Sequence, residues 1–299
     1  MSRAAATTRL FEMLTFVNVI VAGLLTGCVY GLMALGLSVI FGVIRIVNFA
    51  HGEMLAVAMY ATLVLNQTLG LDPFLLMPLV ALVLFLAGYV LQDRLINRYM
   101  ARPEHDQFLL LIAVSIMLTS SMLIAFGPDA RTIQVDYAYD SYELGGVLID
   151  KVRMLAALGA VGGSAALWLF FRFTRIGKSI RACADNQVGA QVVGLDVKRL
   201  YAVTFGIGAG CVGASGGLLL LLVDVQPYIA ADYTLLAFII VIIGGLGSMP
   251  GALLGGLLVG VSEAASGFLI MPSLKSMFSF GLLIIVLLVR PRGLFGRSA

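Results

Sequence analysis

Three stretches of this 299-residue chain place polar side chains inside strongly apolar surroundings. The first is Asn48-Phe49-Ala50-His51-Gly52-Glu53, set between two apolar runs. Polar groups at membrane depth are costly, and such groups line pathways and gates. The competing reading is a helix start, with Asn48 as cap and Glu53 in the first turn, where negative charge suits the macrodipole. A lone His beside Gly is not a metal site. The second stretch runs from Gly244 through Gly245, Gly247, Ser248 and Pro250 to Gly251. Ser248 suits an N-cap and Pro250 the opening turn of a helix. The glycines permit an unwound backbone, tolerated in a bilayer only against protein or a water-filled cavity. A pore-lining segment and a tight packing turn fit this pattern equally. Glu263 lies in the next apolar run as a further acid, either on the pathway or in an interhelical hydrogen bond.

The third stretch is a basic loop, residues 174–199. Its Gly177-Lys178-Ser179 resembles the end of a phosphate loop, but that pattern needs Gly five positions earlier, where Arg172 stands. No strand precedes it, so this chain is expected to hold no ATP and no other cofactor. From Asn186, the residues Val188, Val192, Val193 and Leu195 accompany the small Gly189, Ala190 and Gly194. That spacing predicts a short amphipathic helix, which docks on a soluble partner or lies on lipid. The three cysteines, Cys28, Cys183 and Cys211, have no metal-like spacing and read as small buried apolar residues.

These residues must be held by membrane-spanning helices. The chain is 61% hydrophobic and 12% charged, about half the charge of an ordinary soluble domain. Apolar segments fall at about 14–44, 49–65, 74–92, 108–126, 154–173, 201–223, 234–246, 251–270 and 277–290, several near the ~20 residues needed to cross hydrocarbon. Leu25-Thr26-Gly27-Cys28 is like a lipoprotein cleavage box, but apolar residues continue beyond it, so an uncleaved first span is expected. Arg94, Arg98 and Arg102, the basic loop 174–199, the tail from Arg290 and the head with Arg3 and Arg9 are all placed in the cytoplasm by the positive-inside rule. The acidic loop 127–153 then faces the opposite, periplasmic side.

The fold class expected is an all-α, polytopic transmembrane helix bundle. It has about eight to ten spans, eight being the single best count, some of them broken or short. Both termini are expected in the cytoplasm, as residues 1–13 and 291–299 flanking a permease domain at 14–290. Glycines at four-residue spacing (Gly23, Gly27 and Gly31; Gly256 and Gly260) signal close helix packing.

The combination resembles the branched-chain amino acid permeases of bacterial ABC importers, the LivH-type membrane subunit. The resemblance rests on Gly36–Glu53, especially Val47–Glu53, on Gly177–Ala182 together with Ala190 and Gly194, and on Gly244–Gly251. It implies an inner-membrane subunit that works with a second homologous permease, two ATPase subunits that bind ATP, and a periplasmic substrate-binding protein. It implies no nucleic-acid partner and no enzymatic activity on this chain. It makes the region around Arg181, Asn186, Ala190 and Gly194 the helix that receives the ATPase stroke, although Ala182-Cys183-Ala184 departs from the Glu-Ala-Ala of general ABC permeases. The substrate implied is leucine, isoleucine or valine. Importers of the same class for urea, short amides or other amino acids are the alternative, and a stand-alone channel or secondary transporter is the runner-up class. A membrane enzyme would need several catalytic groups converging at one depth, and the sequence offers only His51, Glu53 and Glu263.

Overall fold

The computed structural model describes residues 2–271 and 274–296, with side chains from Met13 onward, Leu144 apart. Its helices are α1 (Ser2–Ile44), α2 (His51–Leu69), α3 (Pro73–Arg94), α4 (Glu104–Phe126), α5 (Lys151–Phe173), α6 (Arg175–Asp185), α7 (Gln187–Val192), α8 (Val197–Leu219), α9 (Ile229–Gly244), α10 (Met249–Leu269) and α11 (Lys275–Val289). Among the described residues, six are long and apolar enough to cross a membrane, and α9 and α11 are shorter apolar helices. The chain is a multi-pass membrane protein built as a helical bundle. One antiparallel hairpin, β1 (Ser141–Leu144) and β2 (Val147–Asp150), interrupts it inside the acidic loop. Four-residue strands leave too short a period-2 signal to stand out from a polar loop.

The small residues decide the packing. α8 lies at the centre, with 83% of its most apolar window buried, against 17% for α4. α1 runs antiparallel along α10, and a Cβ on Gly23, Gly27 or Gly260 would come within 3.0 Å of the facing helix. Only glycine lets the backbones approach so closely, which is how helices gain contact where lipid supplies no hydrophobic drive.

The bundle has a basic and an acidic end. Twelve described Lys and Arg residues lie at one end, from Arg45 and Arg94 to Arg290 and Arg292; Arg131, Lys151, Arg153 and Lys275 lie at the other. The acidic end is tied by Tyr137 Oη donating to Asp72 Oδ2 at 2.7 Å and by a bridge between Arg131 and Val225. Burial and the hydrogen bond to Asp72 push the Tyr137 hydroxyl pKa well up, so it remains a donor there. At the basic end, Asn97 Nδ2 donates to the Lys198 carbonyl at 3.2 Å.

The start of α1 and the last described residues lie at opposite ends of the bundle. Asn18 Oδ1, near the start of α1, accepts from the Leu148 amide of the hairpin at 3.0 Å, at the acidic end. The last described residues lie at the basic end, where Leu294 and Phe295 amides donate to the Ile243 and Gly244 carbonyls. The cause is the segment 45–50. It leaves α1 at the basic end, returns part-way into the bundle as non-helical chain, and hands over to α2 inside. The stretch 14–65 thus holds two helices of opposite direction, α1 and α2. The side chains of Arg3, Arg9 and Arg297, on which the sequence reading of the two ends leaned, lie outside the described set.

Candidate functional site

α1 ends at Ile44, and Arg45 turns the chain with φ of 61°. Positive φ in a non-glycine residue is uncommon and marks a backbone held by its surroundings. Five further residues carry the chain inward to Ala50, the N-cap of α2, which offers no side-chain cap. Asn48 was expected to fill that role. Instead its Oδ1 accepts from the Ala50 amide two residues on, at 3.1 Å, and its Nδ2 faces Met54 Sδ at 3.7 Å. An Asn side chain that stabilises its own turn cannot also cap the helix beyond it.

His51 is fully buried, and its Nε2 lies 3.1 Å from the Met33 carbonyl, eleven residues before the end of α1. At about 1.5 Å per residue, the start of α2 is therefore roughly 16 Å inside the bundle. A carbonyl only accepts, so Nε2 is the protonated nitrogen, and Nδ1 has no partner among the described residues.

Gly52 brings α2 against α9. Its amide donates to Thr234 Oγ1 at 2.9 Å, and a Cβ here would strike the Ala230 carbonyl oxygen and Thr234. Glu53, 5% exposed, accepts from Ser115 Oγ of α4 at 2.7 Å and from Thr234 Oγ1 at 3.5 Å. The structure thus brings Asn48, His51 and Glu53 to one depth and adds Ser115 and Thr234 from two other helices.

The residues toward the basic end of this polar layer are aromatic. Phe49 meets Phe108 of α4 edge-on at 4.7 Å between centroids and Phe238 of α9 at 5.4 Å. The same three elements build both layers: 49 and 53 on the entry to α2, 108 and 115 on α4, 238 and 234 on α9. Sequence reasoning missed five of these residues. The signal existed, since Glu104, Phe108, Leu111 and Ser115 share one face of α4 at helical spacing, as do Thr234 and Phe238 on α9.

The other residues singled out in the sequence lie elsewhere. Gly244, Gly245, Gly247, Ser248 and Pro250 form the turn between α9 and α10 at the basic end. Ser248 caps α10, accepting from the Gly251 amide at 3.2 Å, and Pro250 sits in its first turn. Gly245 and Gly247 have φ of 101° and 78°; the first abuts the Gly296 backbone and the second Gly42. Glu263 is half-buried in a separate cluster, accepting from Tyr30 Oη at 3.1 Å and Ser279 Oγ at 3.2 Å.

At the basic end, α6 lies on the bundle through Ile180 and Cys183, with Arg181 exposed. Burial pushes the Cys183 thiol pKa up. Asn186 caps α7 by accepting from the Gly189 amide at 2.8 Å, and Ala190 is buried. Gly194 ends the turn with φ of 83°. Val188, Val192 and Val193 are 70–82% exposed, so the apolar face of this short helix has no partner within the described chain.

Residues 19–287 match the family model described as the branched-chain amino acid transport system / permease component. BraD of Pseudomonas aeruginosa, a high-affinity branched-chain amino acid transport system permease protein, is 31% identical over 96% of this chain and 97% of its own length. LivH of Escherichia coli K12 is 30% identical over the same shares, and LivM of Salmonella typhimurium is 24% identical over 89% of this chain and 67% of its own. Among solved structures, PsaBC from Streptococcus pneumoniae in complex with Fab is similar at a TM-score of 0.46 and 14% identity, covering 92% of this chain and 91% of that one. With 269 consecutive positions matched, around a half-depth helix start and a basic face with an unpartnered helix, this chain belongs to the permease-component family of branched-chain amino acid transport systems.

Proposed function

We propose that this chain is the membrane-spanning permease subunit of an ABC importer in the bacterial inner membrane. It translocates leucine, isoleucine or valine delivered by a periplasmic binding protein. ATP hydrolysis takes place on two separate ATPase subunits, and a second, homologous permease completes the pathway. The observation that carries this reading is the family match across residues 19–287. The 24% identity to LivM supports a related second permease as the partner.

The excess of Lys and Arg at one end of the bundle puts that end in the cytoplasm. Among the described residues, nine helices then run between the two faces, with α2 starting at half depth. The N-terminus is periplasmic and the C-terminus cytoplasmic. The exposed valines of α7, between the basic helix α6 and α8, are the surface on which an ATPase acts. Closing the nucleotide sites moves α6 and α7, and the bundle alternates between outward and inward access. The chain itself contributes passage and positioning, with no cofactor of its own.

The test is uptake of radiolabelled leucine into proteoliposomes holding this chain, the second permease, the ATPases and the binding protein. ATP-dependent uptake is expected from the complete set and none from this chain alone. Leucine uptake by the single chain without ATP would refute the importer reading in favour of a stand-alone carrier. Ala190→Trp, which overfills a buried position on α7, is expected to leave basal ATP hydrolysis in place while abolishing its coupling to uptake.

A further inference from the structure

Glu53 is a buried carboxylate at half depth, yet none of the ion pairs among the described residues involves it. Two hydroxyls reach it, from Ser115 and Thr234. Both donors are neutral hydroxyls, so the carboxyl group keeps acceptor capacity and has no cationic partner among the described residues. Directly toward the basic end, the same three elements close ring on ring through Phe49, Phe108 and Phe238. Phe49 and Phe108 also line a cavity of about 370 Å³, together with Arg45, Glu104, His105 and Gln107.

We infer that the two layers are the two halves of one binding site for an apolar amino acid. Glu53 receives its ammonium group, and Phe49, Phe108 and Phe238 pack against its side chain while closing the exit to the inner cavity. The offset fits: Thr234 and Phe238 stand one helical turn apart on α9, about 6 Å along its axis, so a small aliphatic amino acid reaches from one layer to the other. The chemistry fits as well. An ammonium donates to a carboxylate that two hydroxyls already hold in place, and an aliphatic side chain gains from aromatic surface. Release requires one wall to give way. α4 is the wall least embedded in the bundle and carries both Ser115 and Phe108. Its withdrawal would open the ring cluster and break the Ser115 hydrogen bond together.

This inference rests on the importer reading, and the experiment separates the two. The reconstituted four-component system is assayed with radiolabelled leucine. If wild-type complex shows no ATP-dependent uptake, the importer reading falls and takes the site with it. If wild type transports, Glu53→Gln, which keeps shape and acceptor but removes the charge, is expected to lower uptake roughly tenfold with ATP hydrolysis retained, the size of a lost charged hydrogen bond. Undiminished uptake by Glu53→Gln overturns the ammonium site. Should that variant fail to assemble, Ser115→Ala, which leaves the carboxylate intact, is expected to raise the half-saturating concentration of loaded binding protein or to slow uptake; wild-type kinetics in it overturn the site equally. Phe108→Ala is expected to let preloaded leucine leak from vesicles without ATP, and vesicles as tight as wild type would overturn the role of the rings as a gate.

Discussion

Two glycine-bearing breaks interrupt the apolar sequence, one at 48–53 and one at 244–251, and they do opposite things. The first turns a helix start inward and brings Asn48, His51 and Glu53 to half depth, where each finds a specific neighbour. The second stays at the basic end and joins α9 to α10 in four residues, pressed against Gly42 and the C-terminal backbone. Both look like broken membrane helices in the sequence. The side chains just past the two breaks differ in kind. His51 and Glu53 sit in the first turn of α2 and need buried partners, whereas the first turn of α10 holds Met249 and Pro250 and needs none. The inward break turns at Arg45, with Gly52 inside α2 permitting close contact with α9, whereas the surface break turns at Gly245 and Gly247.

Gly52→Ala should break this contrast most severely. The added methyl group meets the Ala230 carbonyl and Thr234 in a backbone contact that no rotamer relieves. A cost of at least about 3 kcal/mol is expected, with loss of folded chain from the membrane. The readout is the thermal midpoint in detergent and the amount of inserted protein. A normal midpoint would show that α2 and α9 are not packed as described.

The next pair sharpens the comparison by deleting one hydroxyl from each break. Thr234→Val removes the acceptor of the Gly52 amide and one donor to Glu53, leaving buried groups unpaired at a cost of about 1–3 kcal/mol. Transport should fall with stability. Ser248→Ala removes an N-cap at the protein surface, about 1 kcal/mol, and transport should persist. Equal transport defects in the two variants would mean that the depth of the break is irrelevant to its role.

The sequence made part of this legible and hid the rest for physical reasons. The helical bundle, the basic face and the cap at Ser248 all arise from local composition, and all are present. The glycine ladder between α1 and α10 was visible as spacing, because close approach needs small residues wherever it occurs. The direction of α1 was not visible. Arg3 and Arg9 read as a cytoplasmic head, and the composition of 14–65 does not show that α1 and α2 run in opposite directions around a fold-back at 45–50. Ser115, Thr234 and the phenylalanines were hidden because a hydroxyl or ring in an apolar span is ordinary by itself. Only the meeting of three separate helices turns them into a layer. The hairpin at 141–150 was hidden by its brevity.

The smallest expected effect lies at the basic end, on a residue that takes no part in either break. Cys183 is 2% exposed on the inner face of α6, and burial raises its thiol pKa above the usual value. A raised pKa means that the thiolate, the reactive form, is scarcer at neutral pH than for a free cysteine and grows only as pH climbs through the shifted value. Maleimide labelling of Cys183 in membranes should therefore be slow at pH 7 and faster in alkaline buffer, with uptake unchanged by Cys183→Ala within a factor of about two. Rapid labelling at pH 7 would mean that α6 lifts off the bundle in the resting protein. In that case the basic end would already be mobile before any ATPase acts on it.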